Sequence, residues 1–263
     1  MLGDDHSDFL DLLAGHTDDA TLTRLAFECL ATGLDDGRVA SLLNVLGWHD
    51  DFECFALGGT PAETVGATAK AMLQAVTDLG GHTPLIGVYG GFIVMCARVQ
   101  HAVSPEVVCT SVMPAFSKDA AVYVSPIRTG ITGAARAVRE TIFSLQAAPS
   151  LPNAPRPLRA DDLLPERALI GDDVAREELI QNVYQVLLGE SEDDPTFRTV
   201  STFLKYGGSL EATSKELSIH PNTVRYRLRR AADTTGWDAT DPRDAFVLNT
   251  AIALGRIRGP HTD

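Results

Sequence analysis

Basic residues are scarce in this chain: 22 Lys and Arg among 263 residues, against 35 Asp and Glu, for a formal net charge of −13. A body so acidic repels phosphate, which excludes general polyanion binding by the chain as a whole. Cysteine is sparse too. Cys29, Cys54, Cys96 and Cys109 stand far apart among apolar neighbours, which excludes a C-x-x-C metal knuckle and a dense disulfide framework and predicts buried free thiols. No apolar run of about eighteen residues occurs, so no membrane-spanning helix is expected. The start, MLGDDHSDFLDLLAG, carries acids where a secretory signal needs a basic start and an unbroken apolar core, so a cytoplasmic protein is expected. The G-x-S-x-G elbow of a serine hydrolase is absent. His49, Asp50 and Asp51 could coordinate a metal, but no second ligand set at compatible spacing accompanies them, and His82 and His101 are isolated. No metal, cofactor or catalytic residue is expected.

What is present is enough apolar material, 44% of residues, for one large domain or two of ordinary size. From about Asp8 to Gly47 the pattern is helical: Leu22, Leu25, Ala26, Cys29 and Leu30 recur at helical spacing, then Val39, Leu42, Leu43 and Leu46. From Trp48 it changes to short β-rich runs, FECFAL, PLIGVY, FIVMCARV and AVYVSPI. Between the first two lies a helix for which Thr60 is the expected cap and Pro61 the first turn, and GAARAVRETIFSLQAA follows the last. This order predicts an α+β domain of the ferredoxin-like kind over 48–148, helices covering one sheet face, preceded by a helical segment over 1–47.

Pro149, Pro152, Pro155, Pro157 and Pro165 crowd the next stretch and block helix and central strand alike, so 149–165 is expected to be a linker. A helical domain is predicted over 166–263, with helices near 172–188, 195–206, 209–217, 221–235 and 242–257. Charge is uneven: from Thr199 onward nine basic residues face seven acids, a net of +2, which leaves −15 on the first 198 residues. A small basic module on an acidic body can still meet a polyanion at one chosen face.

Within that module, SLEATSKEL offers Ser209 as a cap and Leu210, Ser214 and Leu217 on one face, with small Ser214 where a crossing helix would press closest. Ser218-Ile219-His220 makes a short turn before Pro221, which suits a helix's first turn, so two short helices must cross steeply as a helix-turn-helix. At about 100° per residue, Val224, Leu228 and Ala231 fall together and face a core, while Asn222, Tyr226, Arg229 and Arg230 fall opposite, with Thr223 and Arg225 on the flanks. Asn can pair with adenine, Arg with guanine, and a Thr methyl or Tyr ring can lie against thymine. The first turn enters a major groove deepest, so Asn222, Thr223, Arg225 and Tyr226 are the candidate base readers and Arg229 and Arg230 the phosphate contacts. His220, the last residue of the turn, is a further candidate DNA contact. Arg227, about 60° from Val224, is expected to pair with an acid or clasp a phosphate beside the groove. A solvated arginine face is the competing reading, but it leaves the short helix, the turn and Pro221 unexplained. Phe246, Val247, Ala251 and Leu254 of the last helix are expected to hold this reader, and Trp237 to pack beneath the turn after Gly236.

The segment from GGSLEATSKEL through HPNTVRYRL, the following T-G and D-P-R-D-A-F to GRI resembles the C-terminal helix-turn-helix of PucR-type (CdaR-type) bacterial transcription regulators. Upstream, DDLLPERALIGD and the PLIGVYGGFIVMC hairpin resemble the rest of that family, whose middle region is a GGDEF-like domain, so the resemblance runs over about 48–258. PERALIGD and ALGRI are most similar to the actinobacterial subgroup that activates fatty-acid synthase genes. Relatives of that kind are often longer at the N-terminus, which implies a shortened member or a fragment. Ser214 replaces the usual alanine. At Gly90-Gly91-Phe92 the turn glycines remain but the acids that follow them in a nucleotide cyclase are absent, and such an enzyme needs carboxylates to hold magnesium against triphosphate. The resemblance therefore implies a dimeric DNA-binding regulator of promoter operators, not an enzyme, with fatty-acid genes as targets and an acyl thioester such as an acyl-CoA as effector. The alternatives are a regulator of another catabolic pathway, or a cyclase-like enzyme with a DNA-binding tail.

Overall fold

The computed structural model describes residues 19–49, 51–189 and 191–259. Its backbone contacts divide between Leu163 and Leu164 into two units. In the first, β1 (Glu53–Gly59) alternates with period two: Cys54 and Ala56 face one apolar layer, Phe55 and Leu57 the other. β3 (Phe92–Arg98) does the same, with Val94 and Cys96 opposite Ile93, Met95 and Ala97. The sheet runs β2 (Leu85–Tyr89), β3, β1, β4 (Val122–Val124), every pair antiparallel, and short β5 (Arg128–Thr129) also pairs with β1. With α3 (Val65–Asp78) linking β1 to β2 and α4 (Pro105–Val112) linking β3 to β4, this is the expected ferredoxin-like order.

The expectation of helices on one face is corrected. Strands apolar on both faces must bury both. α3 and α4 cover one side through Met72, Val76, Val108 and Val112. The other side is closed by α5 (Gly130–Ala147) together with α1 (Asp19–Ala31) and α2 (Gly37–Val45), through Ala134, Val138, Leu22, Phe27, Leu30, Val39 and Leu43. The helical segment expected over 1–47 therefore shares with α5 the cover of one side of the sheet; its expected helix over 8–18 lies outside the described residues. α1 approaches β2 so closely that a Cβ on Gly87 would stand 2.0 Å from the Phe27 ring. Thr60 and Pro61 do not open α3. Pro61 forms a bridge with Phe116, and Thr64 caps the helix by accepting from the Ala67 amide at 3.1 Å.

The stretch 149–165, expected as a linker, packs on the first unit as far as Leu163. Its prolines do exclude a long strand. One residue suffices for pairing: the Leu158 amide donates to the Val122 carbonyl at 2.7 Å, and the Leu158 carbonyl accepts from the Val124 amide at 3.1 Å.

The second unit is helical: α6 (Leu164–Leu169), α7 (Asp173–Glu178) running through a π turn (Leu179–Tyr184) into α8 (Gln185–Leu188), then α9 (Pro195–Lys205), α10 (Leu210–Leu217), α11 (Pro221–Thr235) and α12 (Pro242–Arg258). Leu179, Val183, Leu187, Phe197, Val200, Val224, Leu228, Val247, Leu248 and Ala251 share its core. The π turn is absent from the sequence expectation. It seats Tyr184 on α12 at Gly255, where a Cβ would stand 2.2 Å from the ring. Buried Arg167 and Asp172 pair at 2.8 Å, and Asp172 also caps α7 by accepting from the Val174 amide. No described helix is long and apolar enough to cross a membrane.

Candidate nucleic-acid interface

Ser209 caps α10 as expected, its hydroxyl accepting from the Ala212 amide at 3.2 Å. The helix ends at Ser218, whose left-handed backbone (φ 53°) lets the Ile219 amide reach back to the Ser214 carbonyl at 3.1 Å. His220 then caps α11: its Nδ1 accepts from the Asn222 amide at 3.2 Å, which leaves the ring N–H on Nε2, and Pro221 occupies the first helical position. Gly236, at φ 79°, closes α11. The small residue under the crossing is corrected. Thr213 is fully buried and Ser214 only partly, each turning its hydroxyl back to a carbonyl one turn earlier, Ser209 and Leu210.

Along α11 the division of faces follows the helical rotation. Val224, Leu228 and Ala231 are at most 3% exposed. Asn222, Arg225, Tyr226, Arg229 and Arg230 are exposed, Tyr226 at 66%, and Thr223 is half-buried on the flank. Two of these side chains meet: Arg225 Nη1 donates to Asn222 Oδ1 at 3.0 Å, one turn apart on the outer face. Arg225 and Arg229 also line a groove of about 470 Å³ with Leu210, Leu228, Asp233, Asp238 and Thr240. Arg227, expected against an acid or a phosphate, instead donates to the Thr199 hydroxyl of α9 at 3.3 Å, and Thr199 in turn donates to the Pro195 carbonyl at 2.7 Å. The rotation had placed Arg227 beside the core. Nothing local in the sequence marked Thr199 as its acceptor.

The frame around α11 is largely polar at its joints. Asp241 caps α12 by accepting from the Arg243 and Asp244 amides, with Pro242 in the first turn. Val247, Leu248, Ala251 and Ile252 are the buried side chains of α12, with Leu254 partly buried; Phe246, expected in the core, is 39% exposed beneath the Arg243 guanidinium. Arg243 makes paired hydrogen bonds to the Glu166 carboxylate of α6. Trp237 packs against the core edge, its amide donating to the Thr235 hydroxyl at 3.2 Å. Tyr206 was not singled out by sequence. It donates to Glu216 Oε2 at 3.0 Å, tying the end of α9 to α10, and that carboxylate holds the phenol above its usual range. Among the described residues no cluster of His, Cys, Asp and Glu is arranged to hold a metal. At the β2–β3 turn, Gly90 (φ 58°) and Gly91 (φ 89°) connect Tyr89 to Phe92.

A helix-turn-helix with a cationic, hydrogen-bonding outer face suits a DNA major groove, and comparison with known proteins points the same way. Residues 196–254 match the PucR C-terminal helix-turn-helix domain and residues 31–147 the GGDEF-like domain. The crystal structure of a regulator of polyketide synthase expression from Bifidobacterium adolescentis is similar, with a TM-score of 0.90 and 65% identity, covering 95% of this chain and 98% of that one. An uncharacterized protein of Mycobacterium tuberculosis is 35% identical over 253 residues, 92% of this chain and 59% of its own length. The purine catabolism regulatory protein of Bacillus subtilis is 31% identical over 68 residues, 26% of this chain and 13% of that protein. The chain thus spans 59% of the length of the mycobacterial relative. It belongs to the transcription regulators that combine a GGDEF-like domain with a PucR C-terminal helix-turn-helix domain.

Proposed function

We propose that this regulator binds double-stranded DNA in a sequence-specific way as a homodimer in the cytoplasm, without catalytic activity of its own, and controls fatty-acid biosynthesis genes in response to an acyl thioester. The observation that carries the DNA reading is the split along α11, where polar Asn222, Arg225 and Tyr226 are open to solvent while Val224 and Leu228 are sealed. In this reading Asn222, Thr223, Arg225 and Tyr226 contact base edges. Arg229 and Arg230 contact phosphate, His220 fixes the start of the helix, and Arg227 steadies it from α9. One helix reads too few bases for gene-level discrimination, and two half-sites multiply it, hence the dimer. The β2–β3 turn supports the absence of cyclase chemistry, because Gly90-Gly91 is followed by Phe92-Ile93 and not by magnesium-holding acids.

The pathway assignment rests on the resemblance and on the name of the solved relative, since polyketide and fatty-acid synthesis both join acyl thioesters. A groove of about 550 Å³ in the first unit, lined by Phe92, Leu145, Leu151, Pro152 and Pro155 together with Lys118 and Arg156, offers such an effector an apolar wall and cations. A second reading, control of a catabolic pathway, is favoured by the similarity to the purine catabolism regulator. Selection of bound fragments from a randomised duplex pool separates them. A recovered repeat found upstream of fatty-acid synthesis genes supports the first reading, one upstream of catabolic genes the second, and no enrichment over random DNA refutes sequence-specific binding.

A further inference from the structure

The first unit treats the two edges of its sheet differently. At β4 the chain covers its own edge, with Leu158 paired to Val122 and Val124. At β2 the five residues LIGVY contain no charge and no proline, and Val88 and Tyr89 are 51% and 42% exposed. A bare edge is a row of unpaired N–H and C=O groups that invites another strand, and natural sheets blunt it with charge, proline, a bulge or a cover. Among the described residues, β2 carries none of these devices along its length, although Pro84 stands just before it and α1 packs on one of its faces at Gly87.

The glycine turn fixes which groups are free. Tyr89 and Phe92 close the ladder, and hydrogen-bonded pairs then recur at every second residue, so Gly87 and Leu85 turn toward β3 while the N–H and C=O of Ile86 and Val88 point outward. Among the described residues, neither Ile86 nor Val88 makes a backbone hydrogen bond outside the strand ladder.

We propose that β2 pairs antiparallel with β2 of a second copy about a two-fold axis at Gly87, joining two five-stranded sheets. Self-pairing in this register sets Ile86 against the partner's Val88 and Val88 against the partner's Ile86, which uses every outward group at those two positions in four hydrogen bonds. Two chains that each carry −13 repel over most of their surface, and this uncharged strip lets the strands meet without opposing carboxylates. Five-residue strands form an interface smaller than the usual about 1,200–2,000 Å², so the association is concentration-dependent. The proposal rests on the homodimer reading above and names the surface that makes it.

Light scattering of the full chain across a dilution series, for wild type, Val88→Pro and Val88→Lys, tests it. The Val88 N–H faces away from β3, so proline there leaves the ladder in place and removes two of the four hydrogen bonds; the dimer dissociation constant rises by about thirtyfold. Lysine shifts it in the same direction by adding charge to the edge. Circular dichroism melting checks folding, and if the proline variant does not fold, the lysine variant gives the reading. A dimer whose dissociation constant is unchanged in the folded variants overturns the surface and leaves the homodimer standing. A wild type that stays monomeric at every concentration, with and without DNA bearing two half-sites, overturns the homodimer reading and this surface with it.

Discussion

Substituting Asn222 and Arg229 separately by alanine distinguishes reading a sequence from holding a duplex. Both side chains are exposed and neither reaches the core, so each variant should melt within about 0.5 kcal/mol of wild type. Asn222 sits in the first turn of α11 and accepts from Arg225 at 3.0 Å, so its removal frees the guanidinium beside it and, on the proposed reading, deletes one base contact. The expected cost is about 1–3 kcal/mol on the cognate site and little on random DNA. Arg229→Ala, on the same reading, removes a phosphate contact. Its loss should be nearly equal on cognate and random duplexes, and the slope of log affinity against log salt should flatten by about 0.9. Fluorescence anisotropy with a selected site and a scrambled one, over several salt concentrations, gives both numbers. A double-mutant cycle with Arg225→Ala adds the coupling between the hydrogen-bonded pair, expected between about 0.5 and 3 kcal/mol. Equal losses on both duplexes for both variants would refute the assignment of Asn222 to bases and Arg229 to phosphate.

Other perturbations read the scaffold. Leu228→Ala, at a side chain 3% exposed on the hidden face of α11, should destabilise the second unit by about 2–5 kcal/mol in denaturant melts and weaken all DNA sequences together. Asp36 caps α2, and the hydrogen bond from the Arg38 side chain lowers its carboxyl from the ordinary 3.8 to about 2. Because the folded value is depressed, the stability it adds is present above the ordinary value and fades as pH falls toward about 2, an acid-side loss that Asp36→Asn should flatten in melts at decreasing pH. Burial raises the Cys29 thiol as it does Cys109, and the hydrogen-bonded sulfur of Cys54, followed by burial, pushes Cys96 well up, so access decides: half-buried Cys29 should be the first of the four thiols to react with a disulfide reagent in the native protein. Faster native labelling of Cys96 than of Cys29 would contradict the packing.

The helical unit was legible in the sequence because its signals are local. Ser209, His220-Pro221, Gly236 and Asp241-Pro242 each mark a helix end through groups within a few residues, and all of them act there in the structure. The face of α11 followed from rotation alone, since Val224, Leu228 and Ala231 are enough to orient it. What sequence missed depends on partners distant along the chain. Arg227 finds Thr199, Arg243 finds Glu166, and Leu158 finds β4. The second cover of the sheet escaped notice for a related reason: alternation in β1 shows that both faces are apolar, but not which helices reach them. Thr60 was a plausible cap by sequence, but the bridge that holds Pro61 to Phe116 keeps it out of the helix and leaves the capping to Thr64.

The π turn ahead of α8 has a bearing on how this chain tolerates change in length. In a regular α-helix, residues four apart drift around the axis by about 40° at each step, so Leu179, Val183 and Leu187 would spiral out of line. A wider turn takes up that drift and keeps all three in one core, with Tyr184 seated on the glycine of the last helix. Trimming one residue from that stretch would yield a more ideal helix and a worse-fitting domain, so even conservative shortening should be selected against at this point while point substitutions on its outer side pass unnoticed.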